Sequence, residues 1–276
     1  MTVQELLTTH LTRRILRKVP EITAVFWIIK LLTTGMGETT SDYLVFHINP
    51  YIAVILGFVG LVVSLLLQFF VRRYIPAVYW LAVVMVAIFG TMAADVVHIV
   101  LGVPYLYSSV FFTVALAVIF AGWYLSEKTL SIHSITTRRR ELFYWATILA
   151  TFALGTAVGD MTASTVGLGY FDSGVLFAIL FALPGLAYWL LGLNEVPAFW
   201  FAYIMTRPFG ASYADWLGKP KSFSGLGLGT GPISMILAVI IIGLVTYVTL
   251  TRSDTHAAAE AAPRATRGQS PRRRTM

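Results

Sequence analysis

The sequence predicts an all-α fold: a polytopic membrane bundle of about eight transmembrane helices, built as four parallel two-helix repeats. Three observations predict it. The 276 residues are 57% hydrophobic and only 12% charged, about half the charged fraction of a soluble domain. Apolar stretches of roughly 20 residues, long enough to cross a bilayer, recur along the whole chain. One spaced motif recurs four times. This composition excludes a water-soluble globular enzyme. The absence of Cys excludes disulfides, zinc–thiolate centres, iron–sulfur clusters and cysteine nucleophiles.

Hydropathy places spans at 22–44, 51–71, 76–101, 105–125, 142–163, 172–193, 196–217 and 231–251. Ahead of them, residues 3–19 read as an amphipathic helix on the membrane surface. Leu6, Leu7, Leu11, Ile15 and Leu16 oppose Arg13, Arg14, Arg17 and Lys18 there. The first twenty residues lack the apolar core of a signal peptide. The expected organisation is therefore an amphipathic cytoplasmic N-terminus (1–20), a membrane domain (21–252) and a basic, disordered cytoplasmic tail (253–276). The repeats within the membrane domain are expected at 21–73, 74–128, 139–193 and 194–252. Most of the Lys and Arg fall in the N-terminal segment, at Arg72 and Arg73, at Lys128 and Arg138 to Arg140, or in the tail. The opposite side holds Lys219 and Lys221. The positive-inside rule then places both termini in the cytoplasm. The net charge of +7 is thus read as membrane orientation: the expected partner is the lipid bilayer, and no nucleic acid.

Four segments align without gaps: FWIIKLLTTGMGETTSD from Phe26, YWLAVVMVAIFGTMAAD from Tyr79, YWATILATFALGTAVGD from Tyr144 and FWFAYIMTRPFGASYAD from Phe199. Each reads aromatic, Trp, nine residues, Gly, four residues, Asp. The tryptophans are Trp27, Trp80, Trp145 and Trp200; the glycines Gly37, Gly90, Gly155 and Gly210; the acids Asp42, Asp95, Asp160 and Asp215. At about 100° per residue, these positions share one helix face about 140° wide. A small residue follows each Gly by four (Ser41, Ala94, Gly159, Ala214), a spacing that lets helices approach closely. Each unit crosses the membrane twice, so successive units run in the same direction. The four Asp are accordingly expected at one depth, converging on a shared axis.

Counting back from each Asp by four residues traces a stripe down that face: Lys30, Thr34, Glu38, Asp42; Val83, Ala87, Thr91, Asp95; Ile148, Phe152, Thr156, Asp160; Tyr203, Arg207, Ala211, Asp215. Ionisable groups inside a span are costly and usually face the bundle interior or water. The four Asp with Glu38, Lys30 and Arg207 are therefore the candidate ion-binding residues. Their oxygens suit a proton or a hard cation such as Mg²⁺, Ca²⁺ or Mn²⁺. Lys30 and Arg207 are each expected to pair with a carboxylate, Lys30 with Glu38. The Trp and Gly positions are expected to be structural. No Ser–His pairing, His-Glu-x-x-His motif or phosphate loop is present, so neither catalysis nor a cofactor is expected. The run GLGLGTG at 225–231 reads as a flexible outer linker.

On the Trp–Gly–Asp pattern, the chain resembles a bacterial inner-membrane family of four tandem two-helix repeats, a repeat of unknown function. The resemblance spans about 22–251. It implies the fold and the inner-membrane location, and brings no activity with it. From the residues, the expected function is secondary transport or export of a cation through the intramembrane carboxylates, with proton coupling as one form of it. The alternative is a non-transporting membrane protein whose buried charges are structural.

Overall fold

The computed structural model describes residues 17–254. The amphipathic helix expected over 3–19 lies almost wholly outside the described residues, as does the tail from 255 onward. Eight α-helices span the described residues: α1 (Ala24–His47), α2 (Pro50–Phe70), α3 (Pro76–Asp95), α4 (Tyr105–Glu127), α5 (Arg138–Asp160), α6 (Gly169–Leu191), α7 (Glu195–Gly218) and α8 (Thr230–Thr251). Their starts follow from local chemistry. Thr23, Asn49, Thr137 and Asn194 each cap a first turn with a side-chain oxygen. Pro50 and Pro76 occupy first-turn positions, where a missing N–H costs nothing. α3 and α5 continue as π-helical turns, Val96–Val100 and Met161–Thr165, directly after Asp95 and Asp160.

Six of these helices are long and apolar enough to cross a membrane. The other two are α1, with Lys30, Glu38 and Asp42, and α7, with Glu195, Arg207 and Asp215. These two gain their burial from protein. The motif helices pack in a closed ring, α1 on α3, α3 on α5, α5 on α7 and α7 on α1. The second helix of each repeat covers the next repeat's motif helix: α2 lies on α3, α4 on α5, α6 on α7 and α8 on α1. The result is a head-to-tail ring closed within one chain, surrounded by a lipid-facing shell. In that shell Ile55, Phe111, Leu190 and Ile242 are each more than half exposed.

The same contacts recur at all four ring interfaces. Each motif aromatic meets the next repeat's Trp: Phe26 with Trp80 (5.7 Å between centroids), Tyr79 with Trp145 (5.6 Å), Tyr144 with Trp200 (6.2 Å) and Phe199 with Trp27 (5.6 Å). Each motif Gly faces the residue eight before the next repeat's Asp: Gly37 faces Ala87, Gly90 faces Phe152, Gly155 faces Arg207 and Gly210 faces Thr34. A Cβ on Gly37 would lie 2.5 Å from the Ala87 Cβ, and one on Gly90 would lie 2.8 Å from the Phe152 Cβ.

One end of the bundle is sewn shut. Lys18 Nζ lies 2.5 Å from Glu141 Oε2, and Gln68 Nε2 donates to Glu141 Oε1 at 3.1 Å. Tyr74 donates its hydroxyl to Asp254, and the Glu21 N–H donates to the Asp254 carbonyl at 3.0 Å. These contacts gather the segments carrying Arg17, Arg72, Arg73, Arg140 and Arg252 at that end. Lys219 and Lys221 lie at the other.

Candidate functional site

At the end opposite the basic seam, the ring opens into a cavity of about 670 Å³. Exposed Phe46, Ile99 and Phe223 mark its mouth, and nearly fully buried Glu38 marks its floor. Asp42, Asp95 and Asp160 line it, together with Tyr43, Tyr105, Tyr170 and Lys219. Asp215 sits beside them, 2% exposed, with Lys219 Nζ 3.1 Å from its Oδ2 and 3.6 Å from Asp42 Oδ2. Burial opposes the charge on Lys219, but Asp215, then Asp42, Glu38 and Asp160, outweigh it and hold the ammonium well above its usual range.

The structure thus brings the four Asp together at one end of the ring, and it treats them differently. Asp215 and Asp42 share Lys219. Asp95 and Asp160 have no hydrogen-bond or ion-pair partner for their side chains among the described residues. Both face the cavity at the point where an α-helix gives way to a π turn, a distortion frequent at functional sites. Carboxylate oxygens of Glu38, Asp160 and Asp215 lie within 4.8 Å of one another, close enough to share one hard cation.

One turn below, Arg207 occupies the ring axis. Its Nη2 donates to Glu38 Oε2 at 2.5 Å and to the hydroxyls of Thr91 and Thr156, each at 2.7 Å. The expected pairing of Arg207 with a carboxylate is therefore present. The expected pairing of Lys30 with Glu38 is not. Lys30 Nζ is buried between the rings of Phe152 (4.2 Å) and Tyr203 (4.4 Å) and has no acceptor among the described residues. The reason is reach: eight helical residues separate the two positions by about 12 Å, and Arg207 already holds the glutamate. Lys30 belongs to the axis, below the cavity. Below it, the Tyr79 and Tyr144 hydroxyls meet at 2.5 Å and help close the axis.

A second expectation is corrected by the glycine-rich run. Residues 226–229 are tied back to the end of α7, with N–H groups of Leu226, Gly227, Leu228 and Gly229 donating to the carbonyls of Trp216, Lys219, Leu217 and Gly218. The final carbonyls of a helix lack intrahelical partners, so this run caps α7 instead of linking loosely. Gly227 and Gly229, at φ +77° and +89°, permit that path. The run also walls the cavity through Gly229 to Gly231 and positions Lys219, a site residue that sequence reasoning missed. Its signal was there: Lys219 stands four residues past Asp215, one helical turn away.

The four motif segments match, one after another, the family described as Repeat of Unknown Function (DUF347), over residues 25–74, 78–129, 143–192 and 198–254. The chain belongs to this family. Membership establishes the fourfold repeat along most of the chain and brings no activity with it. No curated protein and no solved structure matches the chain significantly.

Proposed function

We propose that this protein is a cation carrier of the bacterial inner membrane, a secondary transporter or exporter that binds its cargo with Asp95 and Asp160, assisted by Asp42, Asp215 and Glu38. The observation behind this reading is the pair of unpartnered carboxylates facing a cavity at one end of a sealed ring. A bundle held only by packing and ion pairs gains nothing from two unpartnered carboxyl groups, which are expensive inside a span and typical of ion pathways. The donors are all oxygens, and the carboxylates outnumber the cations that neutralise them, so the cargo is positive. Exchange against protons is the coupling such carboxylates supply most directly. With the basic end in the cytoplasm by the positive-inside rule, the cavity faces outward. No catalytic role is assigned.

A second reading, in which the charges only hold the bundle together, draws on the Glu38–Arg207 and Asp215–Lys219 pairs. The two are separated by Asp→Asn substitutions, which keep shape and hydrogen bonding while removing charge. A strain lacking the protein is screened with Mg²⁺, Ca²⁺, Mn²⁺, K⁺ and methylammonium, and the responding cation is followed into proteoliposomes. Under the carrier reading, Asp95→Asn and Asp160→Asn abolish flux with folded yield retained. Wild-type flux in the quadruple Asn variant sinks it.

A further inference from the structure

One turn below the Asp ring, at the floor of the cavity, lies a second layer of oxygen acceptors. Glu38, Thr91 and Thr156 occupy one register position, four before the Asp, in the first three repeats. The fourth repeat has Ala211 there, whose methyl group contributes no polar atom. Thr91 and Thr156 spend their hydroxyl hydrogens on their own helices, donating to Ala87 O at 2.9 Å and Phe152 O at 3.0 Å. Toward the axis each hydroxyl therefore presents only lone pairs. One carboxylate oxygen and two hydroxyl oxygens converge on a single nitrogen position, at 2.5, 2.7 and 2.7 Å.

Arg207 fills that position poorly. A guanidinium Nη carries two hydrogens for three acceptors. Its Nε and Nη1 find no acceptor among the described residues, although the side chain is only 1% exposed. Buried donors without partners are rare in native proteins and call for an explanation. A primary ammonium carries three N–H donors on one nitrogen, one for each acceptor. Three helices around an axis supply three acceptors for it.

We propose that the Glu38–Thr91–Thr156 layer is a binding site for a primary ammonium cation, the protonated form of a small alkylamine, and that Arg207 occupies it as a tethered competitor. The entering cation, coming from the carboxylate-lined cavity, displaces the guanidinium. Asp160, unpaired and one turn above, has an oxygen within 4.8 Å of Glu38 and can accept the displaced group. No covalent step is involved; one cation replaces another. The proposal deepens the carrier reading by naming its cargo, but binding to the layer is tested without transport.

The test uses the full-length protein in lipid nanodiscs, with thermal unfolding followed as methylammonium chloride is added. Tetramethylammonium chloride, equal in charge and lacking N–H donors, is the control at matched ionic strength. Wild-type protein gains stability with methylammonium beyond the control. Arg207→Met, which keeps the apolar bulk of the stem, responds at concentrations lower by about tenfold or more, because no competitor must leave first. Thr91→Val with Thr156→Val removes the response in either background. A folded Arg207→Met protein that responds equally to the two cations overturns the proposal. Should that variant not fold, the wild-type comparison decides: a methylammonium response unchanged in Thr91→Val/Thr156→Val, or none in wild type, overturns it equally. Methylammonium binding without flux of any cation overturns the carrier reading and leaves the site. Flux of another cation without methylammonium binding does the reverse.

Discussion

Lys30 and Arg207 are both buried basic side chains on the ring axis, and their surroundings give them opposite energetics. Arg207 is matched by Glu38. Removing one member of a buried pair strands the other, at about 3–5 kcal/mol, so Glu38→Gln should lower the unfolding free energy by that order. Lys30 Nζ lies against the rings of Phe152 and Tyr203 and has no acceptor among the described residues. A cation–π contact offsets part of the cost of burying an ammonium, but does not satisfy its three N–H donors. Lys30→Met, of similar length and able to pack its sulfur on both rings, should therefore raise the melting temperature. In a double-mutant cycle, Lys30→Met and Glu38→Gln should be coupled by less than about 0.5 kcal/mol. A coupling of several kcal/mol would return Lys30 to the pair that the sequence suggested.

At the level of helices, the repeat motif is an interface code. Aromatic packs on Trp and Gly packs on the neighbouring stripe, four times around the ring. The Gly positions are thus steric requirements. Gly90→Leu or Gly155→Leu should collapse the yield of monodisperse protein, since the new side chain meets Phe152 or the stem of Arg207. A Cβ added at Gly185 on α6 would meet nothing within 4 Å, so Gly185→Leu should be tolerated. Size-exclusion profiles and thermal unfolding of the three variants read this out. Equal loss in all three would mean that close approach at the ring is not what the motif glycines serve.

For the whole molecule, the consequence of the head-to-tail arrangement is closure: α8 of the last repeat covers α1 of the first, and Glu21 meets Asp254 where the two ends of the described chain come together. A circular permutant that joins these ends through a short linker and opens the chain at the exposed Arg72–Arg73 turn should fold and melt near the wild-type temperature. A permutant that does not fold would show that the order of repeats, and not only their ring, is needed. Reporter fusions at Asn49, Tyr105, Asp172 and Lys221 should all report the face opposite the termini. A single dissenting fusion would break the two-helix unit on which the ring depends.

Local spacing was enough to show four repeats, the shared helix face of Trp, Gly and Asp, and the charged stripe of each motif helix, because helical periodicity acts within a segment and is written in it. It also brought out Arg207 as a buried cation in need of a carboxylate. It could not say which one. Partners across the ring are chosen by how far one helix is rotated and shifted against the next, and several pairings satisfy the same spacing; Lys30 lost Glu38 to Arg207 on reach alone. Nor could it show that each outer helix leaves its own repeat for the next, since a featureless apolar helix packs equally well on any motif face until ring closure selects one. The cap that 226–229 forms on α7, and with it the placing of Lys219, arises from free carbonyls meeting free N–H groups in space. The unpaired state of Asp95 and Asp160 follows from that same assembly: Arg207 and Lys219 form their ion pairs with Glu38, Asp42 and Asp215, and neither forms one with the other two.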